Sequence, residues 1–170
     1  LAMGGTQFTI VFTPLTNPSP QGLDEVQFSL TSPGNNEPRP IAKAASGGEL
    51  SRIMLALEVV MADPSTTATY VFDEVDSGIG GSTALAVGKR LAKLAEEAQV
   101  IVVTHLPQVA AFATSQLKVI KTTTENSTTT SVELLNGEER VEEIARMLAG
   151  LDESQAARAH AVELLELGKA

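Results

Sequence analysis

No cysteine occurs in the 170 residues. That excludes a disulfide framework and a cysteine zinc site, and it fits a reducing compartment. Tryptophan is also absent, and one Tyr and five Phe are the only aromatics, so Ala, Val, Leu and Ile must fill the core. No apolar run approaches the ~20 residues of a membrane span. The N-terminus lacks the basic-then-apolar form of a secretory signal. Lys and Arg are scarce, 12 against 21 Asp and Glu, for a net charge of −9. Such a chain is a poor stand-alone nucleic-acid binder, because affinity for phosphate backbones needs clustered cations. The late surplus of acid, eight Asp/Glu against four Lys/Arg from Gly137 onward, reads as a solvated helical face.

What is present suits one α/β domain with a real core: the length is sufficient and 43% of residues are hydrophobic. The opening Leu1-Ala2-Met3-Gly4-Gly5 reads as a cut inside a longer protein or as a cloning remnant. Phe8-x-Ile10-x-Phe12 and Val26-x-Phe28-x-Leu30 alternate like half-buried strands. Pro14 to Leu23 and Ser32 to Pro40 read as loops. Leu50, Ile53, Met54, Leu57 and Met61 give a helix with one apolar face, opened by a Ser46…Glu49 capping box and ended at Asp63-Pro64. Ala68 to Phe72 reads as a strand buried on both faces. A helix from Thr83 to Glu97 follows, with Ala84, Val87, Leu91, Leu94 and Ala98 inward and Lys89, Arg90 and Lys93 solvated. Val100 to Val103 is a second buried strand, and Leu106 to Thr114 a short helix with Pro107 in its first turn. A hairpin is expected from Leu117–Ile120 and Ser131–Leu134, with Asn126-Ser127 near its tip and a turn at Asn136-Gly137. Two helices close the chain: one carries Val141, Ile144, Ala145 and Leu148, and the other is capped by Asp152 with Gln155 and buries Val162 and Leu165. Strand–helix–strand–helix order in the middle argues for a parallel sheet with flanking helices.

Three places carry chemistry. The strand ending at Phe72 stops on Asp73 and Glu74. Ionised carboxylates are costly to bury unless paired or metal-bound, so they belong at the open carboxyl edge of a parallel sheet, where α/β proteins bind ligands. Taken alone, the pair reads equally well as the start of a turn. Ser46-Gly47-Gly48-Glu49 is a plain capping box by itself, but a helix N-terminus with glycines also admits phosphate. His105, at the end of the next strand, is by itself an ordinary loop histidine. Together they have the parts of a nucleotide-hydrolysis site. One carboxylate serves Mg²⁺, a second orients the attacking water, and an imidazole donates to a phosphate oxygen.

The full strings are more specific than the parts. Ser46-Gly47-Gly48-Glu49 resembles the signature motif of ABC-type ATPases, and Tyr70-Val71-Phe72-Asp73-Glu74 resembles their Walker B strand. Val75-Asp76-Ser77-Gly78 stands in the place of the D-loop, and Thr104-His105 in that of the switch histidine. The longer runs Ala45–Leu57, Phe72–Gly81 and Thr104–Ala110 resemble the RecN family, bacterial SMC-like proteins of double-strand-break repair. That resemblance implies the C-terminal lobe of an ABC/SMC-type ATPase head with the P-loop NTPase fold: an α/β, largely parallel sheet with flanking helices and a terminal β-hairpin. Its expected segments are 1–43 (strands and Pro-rich loops), 44–114 (the motifs) and 115–170 (hairpin and two helices).

The resemblance also implies roles and partners. Asp73 would serve Mg²⁺ and Glu74 would be the catalytic base. His105 would sense the γ-phosphate. Ser46, Gly47, Gly48 and Glu49 would meet ATP held by the opposite subunit, and Asp76 would communicate across the dimer. Arg52 would support the signature contact or make a surface salt bridge. The implied partners are an N-terminal P-loop lobe of the same protein, a second head across two ATP molecules, and DNA through the whole assembly, in the bacterial cytoplasm near the nucleoid with no membrane. The phosphate-wrapping string Gly-x-x-x-x-Gly-Lys-Ser/Thr is missing, so ATP hydrolysis is expected only when the other lobe is joined. Two further readings stand beside this one: a non-hydrolysing module that completes a partner's nucleotide site, and a lobe of another ABC-type ATPase.

Overall fold

The computed structural model describes residues 5–31, 33–34, 37–44, 47–61, 68–124, 127–150 and 154–169. Alternating apolar residues at the start form β1 (Gln7–Ser19) and β2 (Gly22–Thr31), an antiparallel pair extended by the two-residue β3 (Arg39–Pro40). The expected Pro14–Leu23 loop is instead the end of this hairpin, with a register irregularity between Pro14 and Ser19. Pro14 is tolerated because β1 is an edge strand, where a missing N–H need not break a ladder. Phe8 and Phe28 bring their rings to 5.6 Å. Phe12, Val26 and Phe28 nevertheless stay mostly exposed, more so than the half-buried strands expected. The segment expected as a second loop ends in β3, and α1 (Ile41–Ala44) follows it.

Next come α2 (Gly47–Met61), β4 (Thr69–Phe72), α3 (Gly81–Leu94) and β5 (Gln99–Val102). β4 and β5 pair in parallel, Phe72 opposite Val102. The α3 stripe matches its expectation: Ala84, Val87, Leu91 and Leu94 are buried, while Lys89, Arg90 and Lys93 face solvent. With Leu55, Phe72, Val75 and Val109 they make the first core. Each large side chain fully buried there contributes roughly 1.5–3 kcal/mol. The inward face of α2 differs from expectation. Arg52, Ile53 and Leu55 are buried, whereas Leu50, Met54 and Met61 are exposed. The Asp63-Pro64 stop lies outside the described residues.

α4 (Pro107–Ala110) starts with proline at its first turn and is shorter than expected. β6 (Gln116–Thr123) and β7 (Thr128–Leu135) form the expected hairpin, closed by Thr124 N–H donating to the Ser127 carbonyl; Asn126 lies outside the described residues. α5 (Gly137–Ala149) begins where a turn was expected. Asn136 is its N-cap, in a capping box with Glu139. α6 (Gln155–Leu167) is capped by Ser154, which accepts from the Ala157 N–H; Asp152 lies outside the described residues. α5 and α6 pack through Ile144, Ala161 and Leu164 against Ala110 and Ala111, the second core. Val162, expected inside, is exposed, and Leu165 is only partly covered.

The sheet expectation needs correction. Among the described residues only β4 and β5 are parallel; β1–β2–β3 and β6–β7 are antiparallel. Nor is β4 buried on both faces. Tyr70, Phe72, Val100 and Val102 pack on the first core. On the opposite face Val71 and Val103 are 66% and 59% exposed, and Ile101 is exposed too. The chain exposes 11313 Å² in all, against about 8,000 Å² for a compact monomer of this mass.

Candidate functional site

Because β4 and β5 run in parallel, their carboxyl ends lie side by side; the Val103 N–H donates to the Phe72 carbonyl at 2.9 Å. Asp73 and Glu74 leave β4 at this edge and are both exposed. Neither makes an ion pair among the described residues. Glu74 has φ +58°, the only positive value among the described non-glycine residues. This left-handed conformation costs a residue with a Cβ roughly 1–2 kcal/mol. It opens a tight turn in which the Ser77 N–H donates to the Glu74 carbonyl at 3.0 Å. The turn sends Val75 into the first core, fully buried, and Asp76 in beside it at 3% exposure.

Asp76 is bound to the end of β5. Its Oδ2 accepts from the Thr104 hydroxyl, from the His105 backbone N–H at 3.0 Å, and lies 3.2 Å from His105 Nδ1. Thr104 Oγ1 in turn accepts from the Leu106 N–H at 3.0 Å. The His105 side chain remains 74% exposed. The edge therefore brings Asp73, Glu74, Asp76 and His105 together, as the sequence implied. Asp76 is engaged inside its own chain, with Thr104 and His105.

The N-terminus of α2 sits on the same turn. Gly48 is buried against it: a Cβ there would lie 2.8 Å from Ser77 Cβ and 2.9 Å from the Ser77 carbonyl oxygen. A Cβ on Gly47 would lie 3.1 Å from Glu74 Oε2. Gly48 thus serves close packing in its own chain. Ser51 donates to the Asp73 carbonyl at 3.1 Å, and Arg52 Nη1 donates to the Ser77 carbonyl at 2.9 Å. Arg52 is 5% exposed, so it makes no surface salt bridge. Its Nε is buried with no hydrogen-bond partner among the described residues. Glu49 is described and half-buried; Ser46 lies outside the described residues.

Two links were missed in the sequence, the Thr104–Asp76 bond and the inward Arg52. The signals were present: a hydroxyl immediately before the strand-end histidine, and an acid following a residue as apolar as Val75. No group of three or more His, Asp or Glu able to hold a metal occurs among the described residues. One or two free carboxylates at a strand end are nonetheless the donor set that suits Mg²⁺, which keeps waters and takes its other ligands from substrate phosphates. Asp73, exposed at the end of β4, is a carboxylate of that kind.

No family model matches the chain. It is 58% identical over 151 residues to the DNA repair protein RecN of Streptomyces coelicolor, covering 89% of this chain and 26% of that one. With the RecN of Haemophilus influenzae the identity is 47% over 168 residues, 98% of this chain and 30% of that one. By sequence the chain belongs with RecN. It spans between a quarter and a third of the length of these RecN relatives. The fold agrees. A Smc head domain with coiled coil and joint from Pyrococcus yayanosii superposes with a TM-score of 0.58 at 20% identity, covering 84% of this chain and 26% of that one. A chain from work on ATP-driven dimerization and DNA-stimulated activation of SMC ATPases gives 0.53 at 17% identity, covering 88% and 85%. The RecN-type segment therefore has the fold of an SMC ATPase head. Its described strands form one parallel pair and two antiparallel sheets rather than one largely parallel sheet. Among the described residues no helix is long and apolar enough to cross a membrane.

Proposed function

We propose that this chain is the C-terminal lobe of a RecN-type ATPase head, completed by a P-loop lobe elsewhere in the same protein. The observation that carries the reading is the shared edge of β4 and β5, where exposed Asp73 and Glu74 stand beside His105 with no cation among the described residues to neutralise the two acids. In this reading Asp73 serves Mg²⁺, Glu74 orients and deprotonates the attacking water, and His105 contacts the γ-phosphate. Bound Mg²⁺ would supply charge neutralisation on the phosphates. Ser46, Gly47, Gly48 and Glu49 would face ATP carried by a second head, and DNA would be the cargo of the whole assembly, in double-strand-break repair. The segments 1–43, 44–114 and 115–170 would fold as one lobe, in the bacterial cytoplasm near the nucleoid.

The bare face of the parallel pair favours a missing lobe over a self-sufficient enzyme. Val71, Ile101 and Val103 lie open there. The missing P-loop string keeps the second reading alive, a module that closes a partner's nucleotide site without hydrolysis of its own. Glu74→Gln separates the two. Joined to the P-loop lobe, the variant should bind ATP and accumulate as a nucleotide-bound dimer, seen as a doubled mass by light scattering. Hydrolysis at the wild-type rate by E74Q would refute the assignment of Glu74.

A further inference from the structure

Asp76 is the one buried acid at this edge, and no step of the proposed chemistry requires it. Its bonds all run to one place. The Oδ2 oxygen accepts from the Thr104 hydroxyl and the His105 N–H and lies 3.2 Å from His105 Nδ1, close enough that a bare Nδ1 lone pair would face a carboxylate. Thr104 is itself fixed by the Leu106 N–H at the start of α4. The acid cannot drift, because Val75 beside it is fully buried and the turn is pinned from the other side by Arg52 on the Ser77 carbonyl. His105 Nε2 has no hydrogen-bond partner among the described residues, and the side chain is mostly exposed. A carboxylate on one ring nitrogen decides which tautomer a histidine adopts and which nitrogen is left to act.

We propose that Asp76 is the positioning residue of His105: it holds the ring proton on Nδ1 and so makes Nε2 the nitrogen that meets a phosphate oxygen or a transferred proton. In the neutral ring Nε2 is then an acceptor. When the ring carries both protons, Nε2 donates and Asp76 is the balancing charge. Asp76 touches no reacting atom, and its effect on turnover passes through His105. The assignment rests on the functional reading of His105 given above, but it concerns the resting chain and is measured without nucleotide.

The test is the pattern of ring nitrogens by long-range ¹H–¹⁵N NMR, on the ¹⁵N-labelled chain and on the chain joined to the P-loop lobe. The sequence has two histidines, and H160Q on exposed α6 assigns the signals. Wild-type His105 should show a protonated Nδ1 and a bare Nε2 in its neutral form. The reverse pattern would overturn the proposal without any variant being needed. Asp76→Ala, which leaves no acceptor beside the ring, should lose the Nδ1–H preference while keeping the far-ultraviolet circular dichroism of the wild type. Retention of that preference in D76A would show that another group sets it, and would overturn the proposal equally. In the joined protein D76A should lower kcat about 10²-fold with little change in KM, the split expected when a group aligned for the transition state is lost. An unchanged kcat would contradict the positioning role even if the tautomer were as expected.

Discussion

Asp73 and Glu74 on one side, and Asp76 on the other, are chemically alike and stand within four consecutive residues. The fold treats them in opposite ways. The first two are exposed and have no ion-pair partner among the described residues. The third is buried and accepts hydrogen bonds from Thr104 and His105. The left-handed Glu74 separates the two treatments, since its turn reverses the chain and drives Val75 and Asp76 inward. An exposed acid is free to bind a cation and a water. A buried, satisfied acid can only hold its neighbours in place. The difference predicts that substitutions outside the turn will cost activity and those inside it will cost stability as well.

The largest effect should come from Glu74→Gln in the joined protein. Loss of a general base lowers turnover by roughly 10²–10⁴-fold, while the midpoint of denaturant unfolding should barely move, because the side chain is exposed. If E74Q destabilised the protein strongly, the proposed division between the acids would fail. Asp76→Ala comes next. It leaves the Thr104 hydroxyl and the His105 N–H without their acceptor, a loss of about 2–3 kcal/mol by urea titration. Asp73→Ala should stay within ~0.5 kcal/mol of wild type. Gly48→Ala should cost about 1–3 kcal/mol, as overpacking against Ser77 does, whereas Gly47→Ala meets only the mobile end of Glu74 and should be nearly silent.

A smaller effect tests the contrast away from the edge. Glu143 on α5 is another buried acid, held by Arg146 at 2.6 Å and Lys118 at 2.8 Å. The hydrogen bonds from Arg146, and then those from Lys118, hold its carboxyl below the usual range against the opposing effect of burial. A folded-state value below the unfolded one means that the stabilisation is full above the ordinary value of 4.5 and is lost as pH falls through the depressed folded value. Glu143→Gln should therefore lower stability by about 1 kcal/mol at neutral pH and flatten the acid limb of the stability–pH curve. An unchanged acid limb would show that this acid contributes nothing.

Elements with a complete local signal were legible in the sequence. The α3 stripe was read residue by residue because its buried positions repeat at helical spacing, and the β6–β7 hairpin because its apolar residues alternate around a polar turn. The meeting of Asp73, Glu74 and His105 was legible because two apolar runs joined by one helix must pair in parallel with both carboxyl ends at one edge. Other features escaped. The inward face of α2 is rotated because Arg52 makes a tertiary bond to Ser77 that no periodicity encodes. Asn136-Gly137 reads as a turn, although Asn136 with Glu139 carries the capping signature that opens α5. Continuous apolar residues made β4 look buried on both faces, and such composition does not say whether the second cover lies in the same chain. The antiparallel pairing of β1, β2 and β3 was hidden by Pro14, which reads as a loop unless its edge position is known.

The central claim is that Asp73 and Glu74 are poised for chemistry this chain cannot complete alone. ATP turnover, measured first on the chain and then with the P-loop lobe joined to it, tests that claim most directly. The account predicts negligible release of phosphate by the chain, and turnover that appears on joining and disappears with Glu74→Gln. Sustained, Glu74-dependent hydrolysis by the lone chain would contradict it.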